Sequence, residues 1–234
     1  MLEHTRIVTF ELSNFCPYAP MHKKCPLHKD LPPRTLPSTV VARTLEELYH
    51  MGFTGFVAFH NYSEPLADPR LFSFIDLTTS YGMKPWIWSN GWNLTQQLLD
   101  ELIEIHHIAR ITLTAYTANT FESLNYGLIT PEITLCDPIH LDDRRFYYTI
   151  PYREEYQGYP CIRGAPLDEL IINSKGHVVL CCFDWKGEKV FGDLTKETLQ
   201  DVFSRGDITE AYVSLQEGKR IFDLCRRCLW HGEK

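Results

Sequence analysis

The amino-acid sequence predicts an α/β fold: a partial (β/α) barrel of parallel strands, followed by a small C-terminal unit made of a β-hairpin and a helix. Three observations carry this. A strand-loop-helix unit recurs about four times, at 25- to 30-residue intervals, before residue 150. The texture then changes to Tyr-, Pro- and Gly-rich sequence and a short hairpin pattern. The eight cysteines fall mostly into two groups, one on each side of that change. Alternating strands and helices imply a parallel sheet with helices outside, either a barrel or an open sheet. About 130 residues cannot supply eight such units, so a barrel of this kind is incomplete.

The elements follow from local pattern. Residues 7–12 read as a short buried strand, and residues 14–37 as a long polar loop holding Cys16 and Cys25. Loops of this length inside a compact domain are usually functional. Residues 38–51 read as a helix, with Ser38 at its start, an apolar face of Val41, Leu45 and Leu48, and Gly52 as its stop. A buried strand follows at 53–60, ended by Ser63-Glu64-Pro65, and then a helix at 69–81 closed by Gly82. Residues 85–89 form a third strand running into Asn90-Gly91, residues 95–107 an amphipathic helix, and residues 109–116 a fourth strand. A short helix at 120–126 and a fifth strand at 133–136 complete the first region. Beyond residue 150, segments 170–173 and 177–180 flank Ser174-Lys175-Gly176 as a hairpin, and residues 195–204 form a helix. The expected domains are therefore 1–150 and 151–234. Right-handed crossovers put all C-terminal strand ends of the parallel sheet on one edge, so the loops carrying Cys16, Glu64, Asn90 and Tyr116 converge there.

Composition narrows the functional classes. The chain has 234 residues, 44% of them hydrophobic and 23% charged, which excludes wholesale disorder. Its formal net charge of -7 disfavours a general affinity for nucleic acid or anionic membrane. No apolar run approaches the roughly 20 residues that cross a bilayer. The first residues lack a basic segment leading into an apolar one, so a reducing cytoplasmic setting is expected, in which clustered thiols bind metal.

Cys161 precedes the hairpin and Cys181 follows its second strand, so both meet at the hairpin's open end. With Cys225-x-x-Cys228 they form a four-sulfur set that suits zinc or an iron–sulfur cluster, and spacing alone leaves the two equally open. Adjacent strand residues point to opposite faces, so only one of Cys181 and Cys182 is expected to ligate. The first group is Cys16, Cys25 and His28, in C-x8-C-x2-H spacing directly after the first strand, with His22 nearby. A three-ligand site leaves an open coordination position, as catalytic metals require. Cys136 and Cys182 are left as bystanders.

In this order and spacing, the motifs resemble those of the radical S-adenosylmethionine (SAM) enzymes. Residues 7–16 are similar to the first strand that runs into the cluster loop. Ser63-Glu64-Pro65 resembles the Gly-Gly-Glu-Pro motif that contacts the SAM amino group, and Ser89-Asn90-Gly91 resembles Thr-Asn-Gly. Ile111-Thr112-Leu113-Thr114 resembles the strand whose polar residues meet SAM. Cys161, 14 residues, Gly176, four residues and Cys181 are similar to the opening of a SPASM/twitch auxiliary-cluster domain, and Phe191-Gly192-Asp193-Leu194 resembles its Gly-Asn-(Ile/Leu) segment. The late C-x-x-C completes one auxiliary cluster, which suits the shorter twitch form.

The resemblance implies two 4Fe–4S clusters and SAM as cofactors, with Cys16, Cys25 and His28 holding the first cluster and Cys161, Cys181, Cys225 and Cys228 the second. The family's usual motif is C-x3-C-x2-C, and His28 stands here where its third cysteine would. Leu27, Ser63, Glu64, Ser89, Asn90 and Thr114 are the implied SAM contacts. An external electron donor such as flavodoxin or ferredoxin, and a small-molecule rather than a peptide substrate, are the implied partners. Arg153 is a candidate substrate-binding residue and Asp184 a candidate base; Tyr62, Tyr116 and His60 are candidate pocket residues, and Trp86 and Trp88 read as strand packing. The competing reading is a non-catalytic iron–sulfur or zinc protein on a degenerate scaffold of the same kind.

Overall fold

The computed structural model describes residues 2–20, 25–28, 32–116, 121–127, 129–135 and 151–229. Strand β1 (Ile7–Phe10) is followed by helix α1 (Ser38–His50), β2 (Phe56–Phe59), α2 (Leu71–Ser80), β3 (Lys84–Ser89), α3 (Gln96–Asp100), β4 (Arg110–Ala115) and β5 (Glu132–Leu135). The C-terminal part adds β6 (Glu169–Ile172), β7 (His177–Val179), β8 (Val190–Asp193), α4 (Leu199–Ser204), α5 (Asp207–Gln216) and α6 (Asp223–Arg227). All eight strands form one sheet in the order β5-β4-β3-β2-β1-β6-β7-β8. The pairs from β5 to β6 are parallel, and β6–β7 and β7–β8 are antiparallel. The result is a partial (β/α) barrel extended by a hairpin and short helices.

The alternating pattern sorts the two faces of the sheet. Val8, Phe10, Val57, Phe59, Ile87, Ile111, Leu113, Leu170 and Ile172 are all essentially buried and join the core with Val41, Leu45 and Leu48 of α1 and Leu71 and Ile75 of α2. The other face is polar and aromatic. The Trp86 indole N–H donates to Thr112 Oγ1 at 3.0 Å, and that of Trp88 to Thr114 Oγ1 at 3.0 Å. Trp86 and Trp88 stack, with ring centroids 6.2 Å apart. These two residues are thus strand packing, as expected, on the concave face.

Boundaries moved where a local hydrogen bond decides them. The helix expected from residue 195 begins at Leu199, because Thr198 and Asp201 form a capping box, while Asp193 accepts from the Thr195 backbone and side chain to make a turn. The helix expected at 120–126 is a turn at 121–123 followed by irregular chain; residue 120 lies outside the described residues. Helix α3 is capped by Thr95 and loosens into a π-turn at Glu101–Ile105. β8, α5 and α6 were not foreseen. The pairing of β6 with β1 was not foreseen either, and it makes the hairpin an extension of the first sheet. Cys136, His22 and the expected boundary at residue 150 lie outside the described residues. No helix among the described residues is long and apolar enough to cross a membrane.

Candidate functional site

Cys16 sits just beyond β1, in a loop whose two stems are tied together. Ser13 and Thr35 form a β-bridge, the Leu36 N–H donates to Leu12 O at 2.8 Å, and the Arg34 N–H donates to the Asn14 side chain at 2.6 Å. Arg70 closes the base: its guanidinium donates to Leu36 O at 2.7 Å and Leu12 O at 3.1 Å, and pairs with Asp68 at 2.7 Å. Sequence reasoning missed Arg70, since the backbone carbonyls it clamps belong to residues 34 and 58 positions away.

Ser13, Asn14, Phe15, Cys16, Ala19 and Leu27 help line a cavity of about 450 Å³ in this loop. Cys25 leads into the single helical turn Pro26–His28. Burial pushes the Cys16 thiol up to about 11, and the nearby charges of Glu64 and Cys25 add to this, against hydrogen bonds from the Tyr18 and Ala19 backbone. Cys16 and Cys25 are therefore electrostatic neighbours, as their spacing predicted.

The motif residues at the ends of β2 and β3 are locked to one another. Glu64 is 1% exposed. Its Oε1 accepts from Ser89 Oγ at 2.6 Å and the Leu66 N–H at 2.9 Å, and its Oε2 accepts from the Asn90 N–H at 2.7 Å. Burial raises the Glu64 pKa, and these three donors oppose the shift. The Asn90 side chain in turn reaches Cys16 Sγ at 3.2 Å. Gly91 follows with φ +74°, and a Cβ there would stand 2.3 Å from the Phe121 ring, so this turn requires glycine. Ser63 donates to His60 O at 3.4 Å. Thr114 accepts the Trp88 indole N–H and retains its own O–H for another partner.

The concave face contains a cluster that sequence reasoning only touched. His60 Nε2 lies 3.3 Å from Thr9 Oγ1 and 3.4 Å from Glu169 Oε1. Thr9 donates to Glu169 at 2.7 Å, and Arg163 stands 3.7 Å from its other oxygen. Burial alone would raise the Glu169 pKa. The hydrogen bond and charge of His60, the Thr9 hydroxyl and Arg163 outweigh it and hold the carboxyl at about 2. His60 is thus a partnered residue of the concave face. Glu169 was missed because a lone acid at a strand start gives no pattern.

The second group of thiols meets at the far end of the sheet. Burial first, then the charges of Cys182, Cys225 and Cys228, raises the Cys181 pKa far above the thiol range. Burial likewise raises Cys225, with Cys161 and Cys228 adding to it and Arg220 opposing. Cys225 thus feels Cys161, Cys181 and Cys228, and Cys181 also feels Cys228. Cys182 is differently engaged: its sulfur accepts from Arg163 at 3.4 Å and its carbonyl from the Tyr62 hydroxyl at 2.7 Å. Asp184 is buried, and its two oxygens accept the Glu188 N–H at 2.8 Å and the Lys189 N–H at 3.0 Å, which fastens the loop behind Cys181. Arg153 donates its backbone N–H to Arg226 O at 2.7 Å, and its guanidinium lies 3.5 Å from Glu155.

No disulfide joins the seven cysteines among the described residues, and no group of three or more His, Cys, Asp or Glu side chains among those residues closes into a metal cage. The donor chemistry nonetheless fits a cluster at the second site. Cys181 and Cys225 resist ionisation where they stand, and a cationic iron or zinc centre would supply the charge that reverses this. At the first site the described thiols are two, with the backbone of His28 in the adjoining turn.

Residues 161–229 match the family model of the SPASM iron–sulfur cluster-binding domain. The structure superposes on that of BtrN in complex with AdoMet and 2-DOIA with a TM-score of 0.78, covering 98% of this chain and 94% of that one at 22% identity. The fold is that of BtrN. An open conformation of BtrN gives a TM-score of 0.75, and anSMEcpe with bound AdoMet gives 0.53 at 12% identity, over 96% of this chain and 83% of that one. In sequence, the chain is 25% identical over 195 residues to the S-adenosyl-L-methionine-dependent 2-deoxy-scyllo-inosamine dehydrogenase of Niallia circulans, covering 79% of this chain and 76% of that enzyme. The BtrN-like fold spans both thiol groups, and the SPASM match spans the second.

Proposed function

We propose that this chain is a radical SAM enzyme with one auxiliary 4Fe–4S cluster, acting on a small molecule in a net oxidation. The carrying observation is the convergence at one sheet edge of Cys16 and Cys25, backed by the Glu64–Ser89–Asn90 lock. Four further thiols gather in the segment that matches the SPASM model. The name of the Niallia circulans relative supports the same class of reaction.

In this reading Cys16, Cys25 and His28 hold the first cluster, and Cys161, Cys181, Cys225 and Cys228 the second. A cluster held there would supply the electron for reductive cleavage of SAM and so the radical chemistry by which hydrogen is taken from the substrate. The chain's own residues bind and orient. The cavity beside Leu27 receives the adenine side of SAM, the backbone at Ser63 and the Thr114 hydroxyl meet its polar groups, and Glu64, Ser89 and Asn90 fix those loops from behind. The concave face, with Thr9, His60, Trp88 and Glu169, is the substrate wall, and Arg153, beside Glu155 in the C-terminal segment, stays a candidate for substrate binding. An external one-electron donor of the flavodoxin or ferredoxin class completes the cycle.

The test is incubation of the anaerobically reconstituted protein with SAM and dithionite. Formation of 5′-deoxyadenosine is expected; its absence with both clusters intact would leave the non-catalytic metal-binding alternative. Iron analysis tests the first site separately. A Cys16→Ala, Cys25→Ala protein is expected to hold about half the iron of the wild type, and equal iron rules out that ligand set.

A further inference from the structure

The amide of Asn90 is oriented without ambiguity. The Trp92 N–H donates at 3.1 Å to one end of it, which must be Oδ1, so the other end, Nδ2, is the atom 3.2 Å from Cys16 Sγ. The Asn90 backbone N–H is in turn held by Glu64 Oε2 at 2.7 Å, and Glu64 is anchored by Ser89 and Leu66. Both polar ends of the Asn90 side chain are thus engaged within the protein. Glu64 is buried and accepts three donors of its own chain. The two residues whose motifs resemble SAM contacts are tied to each other and to a thiol.

We propose that Asn90 is an outer-sphere hydrogen-bond donor to the Cys16 thiolate that raises the reduction potential of the first cluster, and that Glu64 is the positioning residue that holds it there. This rests on the reading of Cys16 as a cluster ligand. Reduction puts additional negative charge on the cluster and its sulfurs. An N–H aimed at one of those sulfurs favours the reduced state, and hydrogen bonds to sulfur are among the factors that set cluster potentials. The hydrogen bond thus makes the cluster easier to reduce and a weaker donor.

The test is an EPR-monitored redox titration of the reconstituted full chain, following the signal that responds to added SAM so that the auxiliary cluster is not confused with the first. Asn90→Ala is expected to lower the reduction equilibrium constant about tenfold, a downward shift of about 59 mV for one electron. Asn90→Asp, isosteric but without the donor, is expected to lower it further. Glu64→Gln leaves Asn90 in the sequence but faces its N–H with an amide donor, and is expected to reproduce the shift in part. Asn90→Ser, which keeps a hydroxyl donor, is expected to recover some of it, a rescue that a purely structural role would not give. Unchanged potentials in Asn90→Ala and Asn90→Asp, with undiminished iron, overturn the inference alone. A wild-type protein with no SAM-responsive cluster overturns the functional reading and this inference together.

Discussion

Replacing Arg70 by alanine cuts the clamp at the base of the Cys16 loop, and the structure sets the size of the effect. The guanidinium donates to Leu36 O at 2.7 Å, to Leu12 O at 3.1 Å and to Ser38 Oγ at 3.1 Å, and it grips Asp68 through two bonds of 2.9 Å and 2.7 Å. The Asp68 side chain is 5% exposed and that of Arg70 25%. Removing one member of a buried ion pair costs about 3–5 kcal/mol when nothing compensates. Here Asp68 keeps the Arg70 backbone N–H at 3.0 Å, and Leu12 O keeps the Leu36 N–H. Water also reaches the quarter-exposed side, so about 2–4 kcal/mol is the expected loss. In a chain of this length that lowers Tm by about 4–16 °C. Thermal unfolding should be followed on metal-free protein, which separates the clamp from any cluster. Arg70→Lys should recover only a fraction, because an ammonium cannot make the paired contacts to Asp68 or span both carbonyls. A fall in Tm of less than about 2 °C for Arg70→Ala would refute the clamp argument.

Other perturbations test other joints. Gly91→Ala forces a side chain into a φ of +74° and against Phe121; it should cost about 2–4 kcal/mol by urea unfolding, and adding Phe121→Ala should return the part due to the clash. Glu169 has a folded pKa of about 2 against an ordinary 4.5, so its stabilisation is fully present above 4.5 and is lost as pH falls from there toward 2. Urea midpoints measured across that range should show a loss of roughly 3 kcal/mol that Glu169→Gln largely removes, and an unchanged acid profile counts against the His60–Glu169 pairing. Cys181→Ala should abolish the auxiliary cluster, while Cys182→Ala should retain it, read as iron per chain and the corresponding EPR signal; the reverse order would reassign the ligand.

Much of the fold was legible because burial writes itself into strand and helix periods. The strands from Ile7 to Ala115 and the hairpin around Gly176 carry short, largely apolar or alternating segments, and the structure has each of them. Less legible were elements held by tertiary contacts. β8 is a four-residue strand interrupted by Gly192, whose missing Cβ makes room for Val202 of α4. α6 is five residues long and joins the 152–156 segment through Arg226, which pairs with Glu154 and lies over Tyr152. At the candidate site the cysteines were legible from spacing alone. Arg70 and Glu169 were not, because the carbonyls that Arg70 clamps and the Thr9 and His60 that Glu169 meets lie far away in the chain and leave no local motif.

The unexpected β1–β6 pairing has a consequence for how the two thiol groups can cooperate. β1 ends at the Cys16 loop and β6 leads through the hairpin to Cys181, and the two strands are hydrogen-bonded in register from Ile7–Glu169 to Phe10–Ile172. Just past that register, buried Glu11 accepts from Asn61 Nδ2 at 2.7 Å, the Tyr62 N–H at 3.3 Å and the Ser174 N–H at 3.2 Å. One carboxylate therefore joins the loop after β2 to the turn of the hairpin. The Tyr62 hydroxyl adds a second tie to the Cys182 carbonyl, one residue from Cys181. Two sites joined by a flexible linker would hold a variable separation. Two sites built on neighbouring strands of one sheet, with a buried polar bridge between their loops, hold a fixed one. In the proposed radical SAM reading, a fixed separation is what a substrate between a radical and an electron-accepting auxiliary cluster would require, because both must be reached from a single bound pose.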